Sequence, residues 1–134
     1  MRKLLGILTT CLLCFVLPNV SMSQGTSGTA DNFAVNSTAT GSIGGGTPNH
    51  WYKLVTNGDG NISLNATALQ TNGNTYMNIY LYDSVGLTQL GTSSNYASSG
   101  GPSFTVNGLA KGTYYCLING TDAFSNTYSF TNSL

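Results

Sequence analysis

The sequence predicts an all-β domain of about eight short strands, packed as a sandwich or a barrel. Two observations carry this. Apolar and polar residues alternate along several short segments, the period of a half-buried strand. Gly, Asn and Asp recur between those segments, where tight turns need them. No window of ten or more residues after position 23 carries a helical period.

The chain has 134 residues, room for one domain. Its first segment, Met1 to Ser23, has the parts of a secretory signal: Arg2 and Lys3, an apolar run from Leu4 to Leu17, and small residues at Ser21 and Ser23. That run is short of the roughly 20 apolar residues that span a bilayer. Processing as a lipoprotein is disfavoured because Thr10 and Leu13, not small residues, precede Cys11 and Cys14. The mature chain is expected to begin near Gln24, with no transmembrane segment. Gln24 to Asn32 is small and polar and reads as a flexible leader, and residues 33–134 as the domain.

The elements follow in order. Phe33 to Thr40 alternates weakly, with Ser42-Ile43 as a short continuation, and Gly44 to Asn49 reads as a loop. Trp51 to Thr56 reads as a strand of ambiguous facing, Tyr52 and Leu54 competing with Trp51 and Val55 for the core. Asn57-Gly58-Asp59-Gly60 is a hairpin signal. In Asn61 to Ala68, Ile62, Leu64, Ala66 and Ala68 share one face. Tyr76 to Asp83 alternates most cleanly: Met77, Ile79 and Leu81 oppose Tyr76, Asn78, Tyr80 and Tyr82. Leu87 to Thr92 is a weaker strand, and Ser93 to Pro102 reads as a loop. Phe104 and Val106 mark another strand, closed by Asn107-Gly108. Thr113 to Asn119 sets Tyr114, Cys116 and Ile118 against Tyr115, Leu117 and Asn119. Thr127 to Thr131 ends the series with Tyr128 and Phe130 on one face.

Composition narrows the function. Beyond the signal, Lys53 and Lys111 face Asp31, Asp59, Asp83 and Asp122, a net charge of −2 with no Glu. With no basic patch, nucleic acid and anionic membrane surfaces lack their electrostatic attraction. Cys116 is left alone, so the mature domain holds no internal disulfide and relies on its core. Four scattered Asp residues do not form a carboxylate pair for glycoside hydrolysis. His50 is the sole histidine, and no serine sits in a nucleophile elbow. Cys116 alternates with inward residues and reads as a buried, inert thiol. An enzyme is therefore not expected.

One His and one buried Cys exclude the usual zinc spacings. No cofactor is expected. The one weak metal candidate is calcium at the oxygen-rich turn around Asp59, with Asp31 or Asp122 joining in space. The sharpest positive feature is aromatic. Tyr76, Tyr80 and Tyr82 lie on the outer face of one strand, Tyr115 and Leu117 on that of another. If those strands are neighbours, they form a patch suited to the apolar faces of sugar rings, with Asn and Thr beside it. The alternative is that these tyrosines only pair across the sheet. Sequons at Asn36, Asn61, Asn65 and Asn119 would accept glycans in a eukaryotic secretory pathway.

Three segments in order resemble the bacterial pre-peptidase C-terminal domain: Trp51-Tyr52-Lys53-Leu54 with its Gly58-Asp59-Gly60 turn, Ile79-Tyr80-Leu81-Tyr82-Asp83, and Leu109-Ala110-Lys111-Gly112-Thr113-Tyr114-Tyr115. The resemblance spans about residues 33 to 134. It implies a jelly-roll-like antiparallel β-sandwich, related to collagen-binding domains of collagenases, that is not itself catalytic. It implies release to the exterior or cell surface of a bacterium, a Gram-negative one by the family's usual setting, where the sequons would be chance products. Where the family often carries Asp-x-Asp before its Trp-Tyr pair, this chain reads Pro48-Asn49-His50, without those acids. No enzyme is attached, so the chain reads as a stand-alone copy. The expected function is a secreted, non-catalytic module binding an extracellular polysaccharide or protein fibre. The alternative is a structural module pairing with a secreted enzyme or a surface assembly. Oligomeric state is left open.

Overall fold

A computed structural model describes residues 27–44, 49–69, 75–84, 88–120 and 126–134. The signal segment and Asp122 lie outside them. Among the described residues there are nine strands: β1 (Asp31–Phe33), β2 (Thr38–Ile43), β3 (Asn49–Val55), β4 (Gly60–Ala68), β5 (Tyr76–Asp83), β6 (Gln89–Tyr96), β7 (Ser103–Leu109), β8 (Thr113–Gly120) and β9 (Asn126–Ser133). Two single 3-10 turns, Ser27–Thr29 and Ala97–Ser99, are the only helical pieces among them. No described helix is long and apolar enough to cross a membrane.

The strands form two sheets packed face to face. One has the order β1-β3-β8-β5-β6, the other β2-β9-β4-β7. All pairings are antiparallel except β1 with β3, which is parallel. The fold is thus a β-sandwich, one of the two architectures the alternation allows and the one the resemblance implies.

The core lies between the sheets and follows the period of two. The five-stranded sheet contributes Phe33, Tyr52, Leu54, Met77, Ile79, Leu81, Tyr114, Cys116 and Ile118. The four-stranded sheet contributes Ile43, Ile62, Leu64, Ala66, Tyr128 and Phe130. The ambiguity of β3 is settled: Tyr52 and Leu54 point inward, and Trp51, Lys53 and Val55 outward. Burial pushes the Cys116 thiol well above its ordinary value, as expected of an inert core cysteine.

Three boundaries differ from the sequence reading. The single strand expected over 33–40 is divided between the two sheets. Asn36 takes a left-handed conformation at φ 56°, which turns the chain between β1 and β2. Asp31 and Asn32, assigned to the leader, pair with Tyr52 and Lys53. The buried amide of Asn132 fixes this corner. It donates to the Ala34 carbonyl at 2.7 Å and accepts from the Asn36 N–H at 2.8 Å. Finally, β6 runs on through Ser93 to Tyr96, a stretch expected to be loop. It is an edge strand whose Ser and Asn residues satisfy a backbone ladder without apolar alternation.

Candidate binding face

The outer face of the five-stranded sheet gathers the sequence-predicted tyrosines. β5 and β8 are direct neighbours, and β3 flanks β8 on its other side. The register sets residues in rows across the strands. Trp51, Leu117, Tyr80 and Thr92 form one row. Lys53, Tyr115, Tyr82 and Gln89 form the next. The rings adjoin: Trp51 and Tyr82 have centroids 5.4 Å apart, Tyr80 and Tyr82 6.0 Å. Leu117, although on the outer face, is only 8% exposed between them. Burial, and then the neighbouring Tyr80, hold the Tyr82 hydroxyl above the ordinary tyrosine value.

Tyr80, Tyr82 and Tyr115 therefore lie together. Tyr76 lies two rows from Tyr80 along β5 and packs edge-on against Tyr96 of β6 at 5.0 Å. Between these aromatic groups runs a polar row: Asn49, Asn119, Asn78 and Ser94 on β3, β8, β5 and β6. The Asn119 amide donates to Asn49 at 2.5 Å, Asn78 donates to Asn119 at 3.2 Å, and the Ser94 hydroxyl donates to Asn78 at 2.6 Å. Sequence reasoning missed Trp51, Tyr96 and this row. Alternation marks each residue as outward at best, and the row exists only through register between distant strands.

Of the calcium candidates, Asp31 and Asp59 are not brought together, and Asp122 lies outside the described residues. The Asp59 carboxylate accepts the Lys111 backbone N–H at 2.7 Å. Asp31 sits 3.0 Å from His50 Nε2. In the β1–β3 register Asp31 is opposite Tyr52, whereas the Asp59 turn lies beyond Val55 at the far end of β3. Among the described residues no three His, Cys, Asp or Glu side chains cluster as metal ligands would.

One grouping has the form of an acid–base relay. Asp31 accepts from His50 Nε2–H, Tyr128 donates to His50 Nδ1 at 2.6 Å, and Tyr52 donates to the Tyr128 oxygen at 2.7 Å. This assignment, with neutral His50, gives every donor an acceptor. His50, left between the expected loop and strand, is inside β3, stacked on Tyr52 at 4.7 Å. The inner end of the relay is buried, Tyr128 fully and Tyr52 nearly so, while His50 and Asp31 at its outer end are partly exposed. The relay ties β1 and β3 of one sheet to β9 of the other.

Tyr128→Phe is expected to cost about 2 kcal/mol, because it strands the Tyr52 donor and one His50 nitrogen. Adding Tyr52→Phe in that background is expected to cost less than Tyr52→Phe alone, since the stranded donor goes with it. Urea unfolding of the three variants measures both. Burial raises the pKa of Tyr52 and Tyr128, so the folded chain holds these protons more tightly than the unfolded one. That stability is complete below the ordinary tyrosine value of 10.0 and is lost as pH rises past it. Tyr128→Phe is expected to make the alkaline decline shallower.

Comparison with known proteins places this fold. No protein-family model matches the chain, and no curated protein matches it in sequence. Among solved structures, the pre-peptidase C-terminal domain of collagenase from Bacillus anthracis superposes with a TM-score of 0.63 at 20% identity. The match covers 78% of this chain and 94% of that one. The Yersinia pseudotuberculosis-derived mitogen matches at a TM-score of 0.48 and 15% identity, over 73% of this chain and 84% of that one. The chain thus shares the fold that the three sequence segments resemble.

Proposed function

From a fold shared with the pre-peptidase C-terminal domain of a collagenase, we propose that this chain is a secreted bacterial, non-catalytic binding module. Its recognition surface is the outer face of the five-stranded sheet, and its ligand is an extended extracellular polymer, a polysaccharide or a protein fibre. The observation that carries the reading is the contiguous group Trp51, Leu117, Tyr80, Tyr82 and Tyr115 on three adjacent strands. Contiguous aromatic surface of this kind is what binding faces present. In the acid–base grouping at His50, both tyrosine hydroxyls are held in the core, where they join the two sheets, which fits a role without catalysis.

The test is co-sedimentation of the secreted chain with insoluble polysaccharides and with collagen fibres, beside Tyr80→Ala/Tyr82→Ala. Binding is expected in the parent and a loss of about 100-fold in the double variant, which removes two aromatic anchors of the face. Addition of a chelator is expected to change nothing. A folded parent that binds no matrix would overturn the reading in favour of the same face docking on a secreted enzyme or a surface assembly.

A further inference from the structure

Resting on that reading, we infer that the polymer is an uncharged polysaccharide, lying across the strands along the row Asn49, Asn119, Asn78 and Ser94. Three features of the row point to this ligand.

The first is hydrogen-bonding capacity. An amide has two N–H donors and an oxygen with two lone pairs. Within the row, Asn119 and Asn78 each spend one donor and one lone pair. Each keeps one donor and one lone pair, and both residues are half-exposed. A donor and an acceptor left at both Asn119 and Asn78, on neighbouring strands, complement hydroxyl groups, which do both. The internal bonds also hold the amides in place before the ligand arrives, which lowers the ordering cost of binding.

The second is spacing. The four side chains stand on four adjacent strands, so they repeat at about 4.8 Å. That is close to the advance of one pyranose ring in an extended glycan. A polypeptide laid in the same direction advances about 3.3 Å per residue as a strand, or about 3.1 Å as a polyproline helix. It would fall out of step within the row. Four strands accommodate about four sugars.

The third is the setting. Trp51, Leu117 and Tyr80 form a wall on one side, and Tyr76 with Tyr96 stands on the other. Ring faces of this sort cover the apolar C–H faces of sugars. Among the described residues, Lys53 is the one charged side chain on this outer face, and it lies beyond the Trp51 wall, two rows from the amides. No carboxylate or ammonium in the row calls for a charged ligand.

The experiment uses the secreted chain with soluble neutral polymers (hydroxyethylcellulose, galactomannan and arabinoxylan), with anionic carboxymethylcellulose, and with collagen. The variants are Asn78→Ala, Asn119→Ala and Tyr80→Ala/Tyr82→Ala, each checked for folding by circular dichroism. At least one neutral polymer is expected to bind, and each Asn variant to weaken it about tenfold. Oligosaccharides cut from that polymer are expected to gain affinity with length and to level off at about four sugars. Neutral-polymer binding unchanged by both Asn variants, or equal affinity for the shortest and longest oligosaccharides, overturns the inference. So does preference for the anionic polymer, or binding of collagen alone. If collagen binding is nonetheless lost in the tyrosine variant, the proposed function stands without the inference. If nothing binds, both fall.

Discussion

Phe130→Ala is expected to destabilise the domain by about 3–5 kcal/mol. The ring is fully buried on β9, an interior strand of the four-stranded sheet. It stacks on Phe33 at 5.3 Å and tilts against Tyr52 at 5.5 Å, both from the opposite sheet. Phe130 is therefore where the two layers meet. Truncation removes the transfer energy of the ring and leaves a cavity. The paired strands around it resist collapse, because each is fixed by a backbone ladder. Stability of small domains totals only about 5–15 kcal/mol. For a domain of this size the melting temperature is expected to fall by roughly 15–30 °C. Phe130→Leu keeps most of the volume and is expected to cost about 1.5 kcal/mol. Thermal melts followed by circular dichroism compare them, and near-equal melting temperatures would contradict the packing described.

The second large effect is expected at Gly101. Its φ is +79°, and a Cβ there would drive into the backbone carbonyl oxygen of Ala66. That oxygen cannot swing aside, because the Ala66 N–H is bonded to the Pro102 carbonyl at 3.0 Å and β4 is paired on both sides. Gly100 provides the control. Its φ is +92°, but a Cβ there would meet open space. Gly100→Ala is expected to cost about 1–2 kcal/mol from backbone strain alone. Gly101→Ala is expected to cost at least about 2 kcal/mol more, the penalty of overpacking. Denaturant midpoints of the two variants give the difference directly. Equal midpoints would mean that β4 yields more easily than its ladders suggest.

What the sequence made legible was local. Met77, Ile79 and Leu81 against Tyr76, Tyr80 and Tyr82 declare both faces of β5 within eight residues, because side chains alternate with period two. The same rule placed Tyr114, Cys116 and Ile118 in the core and Tyr115 outside. It could not decide β3, where apolar residues occupy both faces. Tyr52 prevails there because its hydroxyl finds Tyr128, while Trp51 is received by Tyr82 on the outer face. The division of 33–40 was hidden because it rests on one left-handed Asn36 and on Asn132, 96 residues away. The amide row was hidden for the same reason. Asn49, Asn78 and Asn119 look like ordinary wet positions until register aligns them.

The interior place of β9 has a consequence for the order of events in a chain made from its N-terminus. In the four-stranded sheet, β2 has no neighbour but β9, and β4 shares only β7 until β9 arrives. The Asn132 clamp and the Tyr128 end of the relay come with the same strand. A growing chain can assemble fragments, but it cannot close the sandwich before β9 is free. Folding thus waits on the pairing of β2 with β9, strands far apart in sequence, a slow kind of contact. Until β9 arrives, β2 and β4 have no strand to join them, and the part of the core that Tyr128 and Phe130 fill stays open.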